Sequence, residues 1–397
     1  MFNFSKISVS FSSNLLYLSK KVGIIMVYDV IIVGAGSMGM AAGYYLAMVG
    51  KNVLMLDAFD PPHEEGSHHG ETRIIRFAYG EGASYVPFVK RAGELWQELE
   101  SLADENLFLQ TGVVNIGEPT CSFIQNVKAS ATLHELALEH YSAAEAMNKW
   151  PGLSLSANLV ACFEPTAGVL RVEACIRAYK KLALEAGARL QTNEKVVGIQ
   201  AGEIVQVQTA NQVYEAKQLI VTTGAWATEL LQTLDIALPV TPTRKTFAWF
   251  EADEQLYSEG VFPAYCFEFA DSSYYGFPSI DGAGLKLGRH DGGEEINPNR
   301  PLHPFDDNDR ADLQHFIQQF MPRHGALKYG KTCKYSMTPD EDFIIDFLPT
   351  HQNIIIAAGF SGHGFKFSSA VGEALAELTL HGECKQNLTR FQLNRFH

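Results

Sequence analysis

"YDVIIVGAGSMGMAAGYYLAMVGKNVLMLD", residues 28–57, decides the fold. Its opening, YDVIIVG, is the β-branched run that a strand buried on both faces needs. GAGSMGMAAGYYLAMVG follows, with Gly34, Gly36 and Gly39 in G-x-G-x-x-G spacing, then small and apolar residues of helical character up to Gly50. NVLMLD reads as a second strand ending in Asp57. The glycines permit a tight turn, approach of a pyrophosphate and close helix–strand packing, while the helix N-terminus presents N–H groups to anionic oxygens. Asp57, about 20 residues on, is placed for ribose hydroxyls. Strand, glycine turn, helix, strand and acid in that order predict an α/β fold of Rossmann type around an adenine dinucleotide. The fingerprint alone fits NAD as well as FAD.

Working outward, 397 residues exceed what one hydrophobic core usually supports, so two domains or an elaborated α/β unit are expected. A net charge of −14 argues against nucleic acid and anionic membranes as partners. The cysteines, at positions 121, 162, 175, 266, 333 and 384, form no C-x-x-C pair, so a reducing cytoplasm is expected and no metal site. The longest apolar run is broken by Asp29 and falls short of the ~20 residues a membrane span needs. Residues 1–26 read as an appendage, a disordered tail or an upstream start, since the first 25 contain no acid and no helix period.

In HHGETRIIRFAYGEG (68–82), Thr72, Arg73 and Arg76 follow two histidines. A helix there would put both arginines on one face as a compact cationic site, and two solvated arginines is the plainer reading. In GLKLGRH (284–290), alternation puts Lys286 opposite Leu285 and Leu287, which on a half-buried sheet is the wet face. VEACIRAYKKLALEAG (172–187) reads as a helix, and KVVGIQ, EIVQVQTA and QLIVTTGAW read as strands. NIIIAAG is a buried strand leading through GFSGHGFKFSS (359–369) into a helix with Val371, Leu375 and Leu378 on one face and Gly382 past its end. That loop sets Lys366 between two phenylalanines at a helix N-terminus, the usual place for ligands in an open α/β sheet. Residues 27–110, 165–240 and 330–397 are expected to form a discontinuous dinucleotide-binding domain, and 111–164 with 241–329 an inserted β-rich substrate domain.

VIIVGAGSMGMAAGYYLA, DAFDPPHEEGSHHGETRIIR, YGFPS…GLKLG, TCKYSMTPDEDFIID and IIAAGFSGHGFKFSS together resemble the family of monomeric sarcosine oxidase and N-methyltryptophan oxidase, from Tyr28 to the C-terminus. The resemblance implies a glutathione-reductase-like FAD domain and one covalently held FAD. It further implies oxidation of a secondary amine on a small N-methyl amino acid, with dioxygen as acceptor and hydrogen peroxide as product. It matches Cys333 to the cysteine joined through sulfur to the flavin 8α-methyl group, and Lys331 and Lys334 would favour the thiolate if their charges lie near. The other five cysteines are assigned to packing.

By the same resemblance Arg76 and Lys366 bind the substrate carboxylate, with Phe365 and Phe367 excluding water. His363 and the loop N–H groups face the flavin. Arg73 lies at its other face beside Thr72 and His69, and Val197 meets the adenine through its backbone. Lys286 activates oxygen, Tyr275 and Tyr335 wall the pocket, and His290 hydrogen-bonds the substrate. Sarcosine would give glycine, formaldehyde and peroxide, by hydride or one-electron steps. RKTFAWFEAD (244–253) is closer to the N-methyltryptophan branch, so N-methyltryptophan and cyclic secondary amines such as pipecolate stand as alternatives. A flavin dehydrogenase with another acceptor, and a regulatory or RNA-modifying protein on the same fold, are readings of other classes. The family suggests a monomer, and the acidic charge and short apolar runs give no membrane or nucleic-acid partner as the expectation.

Overall fold

The computed structural model describes residues 26–396, so the expectation for residues 1–26 lies outside the described residues apart from Met26. Two sheets organise the chain. The first has eight strands, and its centre is parallel: Ile355, Ile220, Ile32 and Met55 stand in register across His351–Ala358, Val213–Val221, Val27–Val33 and Val53–Leu56. Both faces are covered, which is why these strands read as unbroken apolar runs. On one face the helices Ser37–Met48, Val172–Glu185 and Ser368–His381 pack around Tyr44, Tyr179 and Val371. The first βα turn closes as its glycines require. Gly34 has φ +93°, and a Cβ there would sit 2.5 Å from the carbonyl oxygen of Thr222.

The second sheet has nine strands, mostly antiparallel, including Thr241–Phe250, Ser273–Phe277, Leu285–Arg289, Ala264–Glu268 and Val113–Gly117. Leu327–Met337 pairs with Thr241–Phe250 over its whole length and so joins this sheet. The period of two sorts the side chains. Val114, Ile116, Ala248, Phe250, Phe267, Leu285 and Leu287 face a core completed by the helix Asp307–Phe320. Residues of opposite parity, Asn115, Cys266, Tyr275, Lys286, Phe247, Cys333 and Tyr335, share the other face. That face is not wet, because the loops of the first sheet cover it. Lys286 is only 2% exposed, which corrects the solvated reading drawn from alternation alone.

A small three-stranded sheet, Thr72–Ile75, Gly168–Arg171 and Phe108–Leu109, bridges the two. Among the described residues no helix is long and apolar enough to cross a membrane, and no cluster of His, Cys, Asp and Glu is arranged to hold a metal ion.

Candidate active site

A cavity of ≈ 560 Å³ runs along the ends of the parallel strands, where a doubly wound sheet binds its ligand. Gly34, Gly36, Asp57, Val197, Arg73 and Tyr335 all line it. Asp57 accepts from the N–H of Ala35 at 2.8 Å and of Phe59 at 2.9 Å, so its carboxylate also shapes the glycine turn. The helix Ser37–Met48 starts at Gly36 with no side-chain cap and no acid in its first turn, leaving N–H donors free for an anion. At the other end of the cavity Gly362 has φ +80°, and a Cβ there would strike the Tyr335 ring.

Arg73 and Arg76 do not share a helix face. Thr72–Ile75 is a strand, so residues three apart point to opposite sides. The Arg73 guanidinium donates to the carbonyls of Ser67 at 3.0 Å and His69 at 2.7 Å, on the cavity side. Arg76 is buried and turns to Glu81, its Nη2 donating to both carboxylate oxygens at 2.6 and 2.8 Å. Burial works to raise the Glu81 carboxyl pKa, but the Arg76 charge overrides it and holds it at about 2. Nη1 of Arg76 has no partner among the described residues.

Lys366 meets Arg76 over one ring: the Arg76 Cζ lies 4.6 Å from the Tyr79 centroid, and the Lys366 Nζ 5.3 Å. Lys366 donates to the His363 carbonyl at 2.8 Å and to Tyr79 Oη at 3.4 Å. Tyr79 Oη is 2.7 Å from His363 Nδ1, and His363 Nε2 is 3.0 Å from the Glu341 carbonyl. A carbonyl can only accept, so Nε2 carries the proton and Nδ1 accepts from Tyr79. Burial, with the Lys366 charge beside it, drives the His363 pKa to about 3 and keeps this imidazole neutral. Burial and then the Arg76 charge push the Lys366 pKa down to about 7. Phe365 and Phe367 are buried on either side of it.

On the covered face of the second sheet, Lys286 donates to the Gly70 carbonyl and to Thr72 Oγ1 at 3.0 Å. Its Nζ lies 4.9, 5.0 and 4.8 Å from the ring centroids of Phe247, Trp249 and Phe277. Burial first, then the Arg73 charge, lowers its pKa well below that of an ordinary lysine. His69 packs its ring on Phe247 at 6.1 Å. His290, whose pKa burial lowers to about 4, faces Tyr275 at 6.4 Å and Tyr335 at 5.8 Å between centroids.

Cys333 is buried in this cluster, and burial raises its thiol pKa against the opposing charges of Arg73, Lys286 and Lys245. Lys331 and Lys334 do not supply the expected positive field. They are tied to Glu64 and Glu65 respectively, and Lys334 alternates away from the cysteine.

Sequence reasoning missed His68, which is buried and lines the cavity beside Gly36, and also Tyr79 and Glu81. It missed Lys245 as well, which stands opposite Cys333 across the strand pair and donates to the His290 carbonyl at 2.6 Å. Tyr79 and Glu81 were visible in RFAYGEG, but no local spacing says that an acid five residues on will pair with Arg76.

Residues 29–378 match the family described as FAD dependent oxidoreductase, DAO. The chain belongs to this family. It is 47% identical over 375 residues to a monomeric sarcosine oxidase of Bacillus sp. (strain NS-129), covering 93% of this chain and 97% of the relative. It is 43% identical over 375 residues to an N-methyl-L-tryptophan oxidase of Yersinia pestis (strain Pestoides F), covering 94% of this chain and 100% of that one. Its fold is that of the L-proline dehydrogenase from P. horikoshii, with a TM-score of 0.83, 22% identity, and 94% and 98% of the two chains covered.

FAD is therefore the cofactor of this oxidoreductase, and the cavity fits it. Glu194 Oε1, Thr223 Oγ1 and Ser336 Oγ are buried without a partner among the described residues, and all three residues line the cavity. Orphaned polar groups spread along a trough with a free helix N-terminus suit a long ligand rich in hydroxyl and phosphate oxygens.

Proposed function

We propose that this oxidoreductase oxidises the N-methyl group of a small secondary amino acid. Sarcosine, dioxygen and water would give glycine, formaldehyde and hydrogen peroxide. N-methyl-L-tryptophan, or a cyclic secondary amine such as pipecolate, is the alternative substrate. The two similar oxidases carry the reaction class. The observation that carries the site is Arg76 Nη1, a buried donor without a partner among the described residues, beside Lys366.

In this reading the substrate carboxylate binds Arg76 Nη1 and Lys366, which removes the orphan and supplies the anion that Lys366 lacks. Tyr79 and neutral His363 orient the ammonium. Tyr275, Tyr335 and His290 close the pocket, and the dry surroundings favour the neutral amine, whose lone pair the oxidation needs. FAD, when bound, accepts two electrons from the N-methyl carbon and hands them to dioxygen. Gly34, Gly36, Gly39, Asp57 and Val197 hold its nucleotide half, with Arg73, Thr72, His69 and His363 about the ring. Cys333 carries the covalent bond to C8α, and Lys286 serves the oxygen step.

Residues 27–110, 165–240 and 330–397 hold the cofactor, while 111–164 and 241–329 shape the substrate side. The six cysteines are all free, which supports a reducing, cytoplasmic setting; the reading as a monomer rests on the similar enzyme named monomeric sarcosine oxidase.

The test is an oxygen electrode with the purified holoprotein and sarcosine, N-methyl-L-tryptophan and pipecolate in turn, with formaldehyde and peroxide assayed in parallel. Equal amounts of oxygen consumed and peroxide released are expected. Oxidation of these amines only when an artificial acceptor replaces oxygen would favour a dehydrogenase.

A second expectation concerns pH. Acetate, a carboxylate without an amine, should compete with substrate. Its anion needs Lys366 charged, and that lysine loses its proton as pH rises through about 7. Above that point the acetate inhibition constant should rise by up to about tenfold per pH unit, and it should be nearly flat in Lys366→Met.

A further inference from the structure

Buried polar atoms without partners mark where a protein waits for a ligand or a water. Among the described residues there are seven: three belong to cavity-lining Glu194, Thr223 and Ser336, one is Thr243 Oγ1, and one is Arg76 Nη1. The other two are Oδ1 and Nδ2 of a single side chain, Asn115, which is 0% exposed. Asn115 is the middle residue of Val113–Gly117, a strand buried at every position. An asparagine with neither half of its amide satisfied is unfavourable there, where valine would fit the pleat.

The register places this side chain on the covered face of the second sheet, the face that carries Tyr275. Asn115 pairs with Cys266, Cys266 with Tyr275, and Tyr275 with Gly288, so all four share the covered face. On its other side Asn115 pairs with Cys162. Two residues on and on the same face, Glu164 accepts from the N–H of Phe77 at 3.0 Å and of Ala78 at 3.1 Å, which lays the segment carrying Arg76 over this part of the sheet. The Cys266 thiol, raised to about 11 by burial, is acted on by the charges of Arg76, Glu81 and Lys366. The two orphaned groups, Arg76 Nη1 and the Asn115 amide, thus border one region.

We propose that Asn115 is a specificity-determining residue, whose carboxamide receives an N–H or O–H donor at the tip of the substrate's side chain. Among secondary amino acids that carry a side chain, the preferred ones then end in such a donor, while sarcosine, which has no side chain, is bound without using Asn115. This rests on the reading that the carboxylate binds at Arg76 and Lys366.

The experiment measures kcat/KM for N-methyl-L-tryptophan and N-methyl-L-tyrosine, each relative to N-methyl-L-phenylalanine, which has a ring but no donor. At least one ratio should be about tenfold in the wild-type holoenzyme and fall to about one in Asn115→Leu, with Asn115→Val as the second variant should the first not fold. Removing two unsatisfied groups should also raise Tm in the absence of substrate. Ratios near one in the wild type, or a ratio that survives both substitutions, overturn the proposal. A wild-type protein that oxidises no N-methyl amino acid removes the underlying reading, and this proposal with it.

Discussion

Lys286→Met is expected to slow the reaction of the reduced enzyme with dioxygen by about 10²–10³-fold while leaving anaerobic reduction by substrate little changed. The first electron given to dioxygen creates an anion, and a cation already fixed in a dry site stabilises it without reorganising solvent. The structure supplies such a group: an ammonium held by Thr72 Oγ1 and the Gly70 carbonyl, with three aromatic faces within 5.0 Å. Methionine keeps the length and the packing but not the charge.

The same surroundings set a pH signature. Burial and Arg73 lower the lysine's pKa, and the protonated form is the active one. Oxygen reactivity of the wild type should therefore decline as pH rises through that lowered pKa, and the variant should show no such decline. Stopped-flow measurement of the two half-reactions decides, and equal slowing of both would refute the role.

Cys333→Ala should abolish covalent flavin altogether. Denatured wild-type protein is expected to carry the mass of FAD, and the acid-precipitated variant should be colourless. Its native form should still bind FAD in the cavity, because the glycine turn and Asp57 are untouched. For the proposed link Cys333 would supply the thiolate, and its formation would release the thiol proton and one 8α C–H proton, which dioxygen would take up together with the two electrons as hydrogen peroxide. Only the thiolate attacks, and burial raises this thiol's pKa even with Arg73 and Lys286 opposing. Attachment of FAD to apoprotein should therefore accelerate as pH rises, by up to about tenfold per unit below the thiol pKa. A Cys333→Ala protein that still carries bonded flavin after denaturation would place the link elsewhere.

Much of the dinucleotide half was legible because its signals are local. Gly34, Gly36 and Gly39 are demanded by one turn, the strands on either side by continuous burial, and Asp57 by the length of one βαβ unit. Alternation in GLKLGRH also sorted Lys286 from its leucines correctly. It could not say whether that face meets water, since the answer depends on Gly70 and Thr72, more than two hundred residues upstream. The helical reading of residues 73–76 failed for a similar reason: TRII pairs with Gly168–Arg171, and that distant partner makes it a strand. The charges of Lys331 and Lys334, read as neighbours of Cys333, are spent on Glu64 and Glu65 from a remote loop.

By itself, then, the amino-acid order determined a Rossmann-type unit, its cofactor-binding turn and the family, because turns, periodicity and motif spacing are properties of contiguous chain. Only the tertiary structure decided that Arg76 pairs with Glu81 and keeps one nitrogen open, that Lys286 sits in an aromatic cage, and that Asn115 is buried with no hydrogen-bond partner among the described residues. The reason is physical: the charge state and hydrogen-bond satisfaction of a side chain are set by whatever packs against it, and here those groups come from segments far apart along the chain.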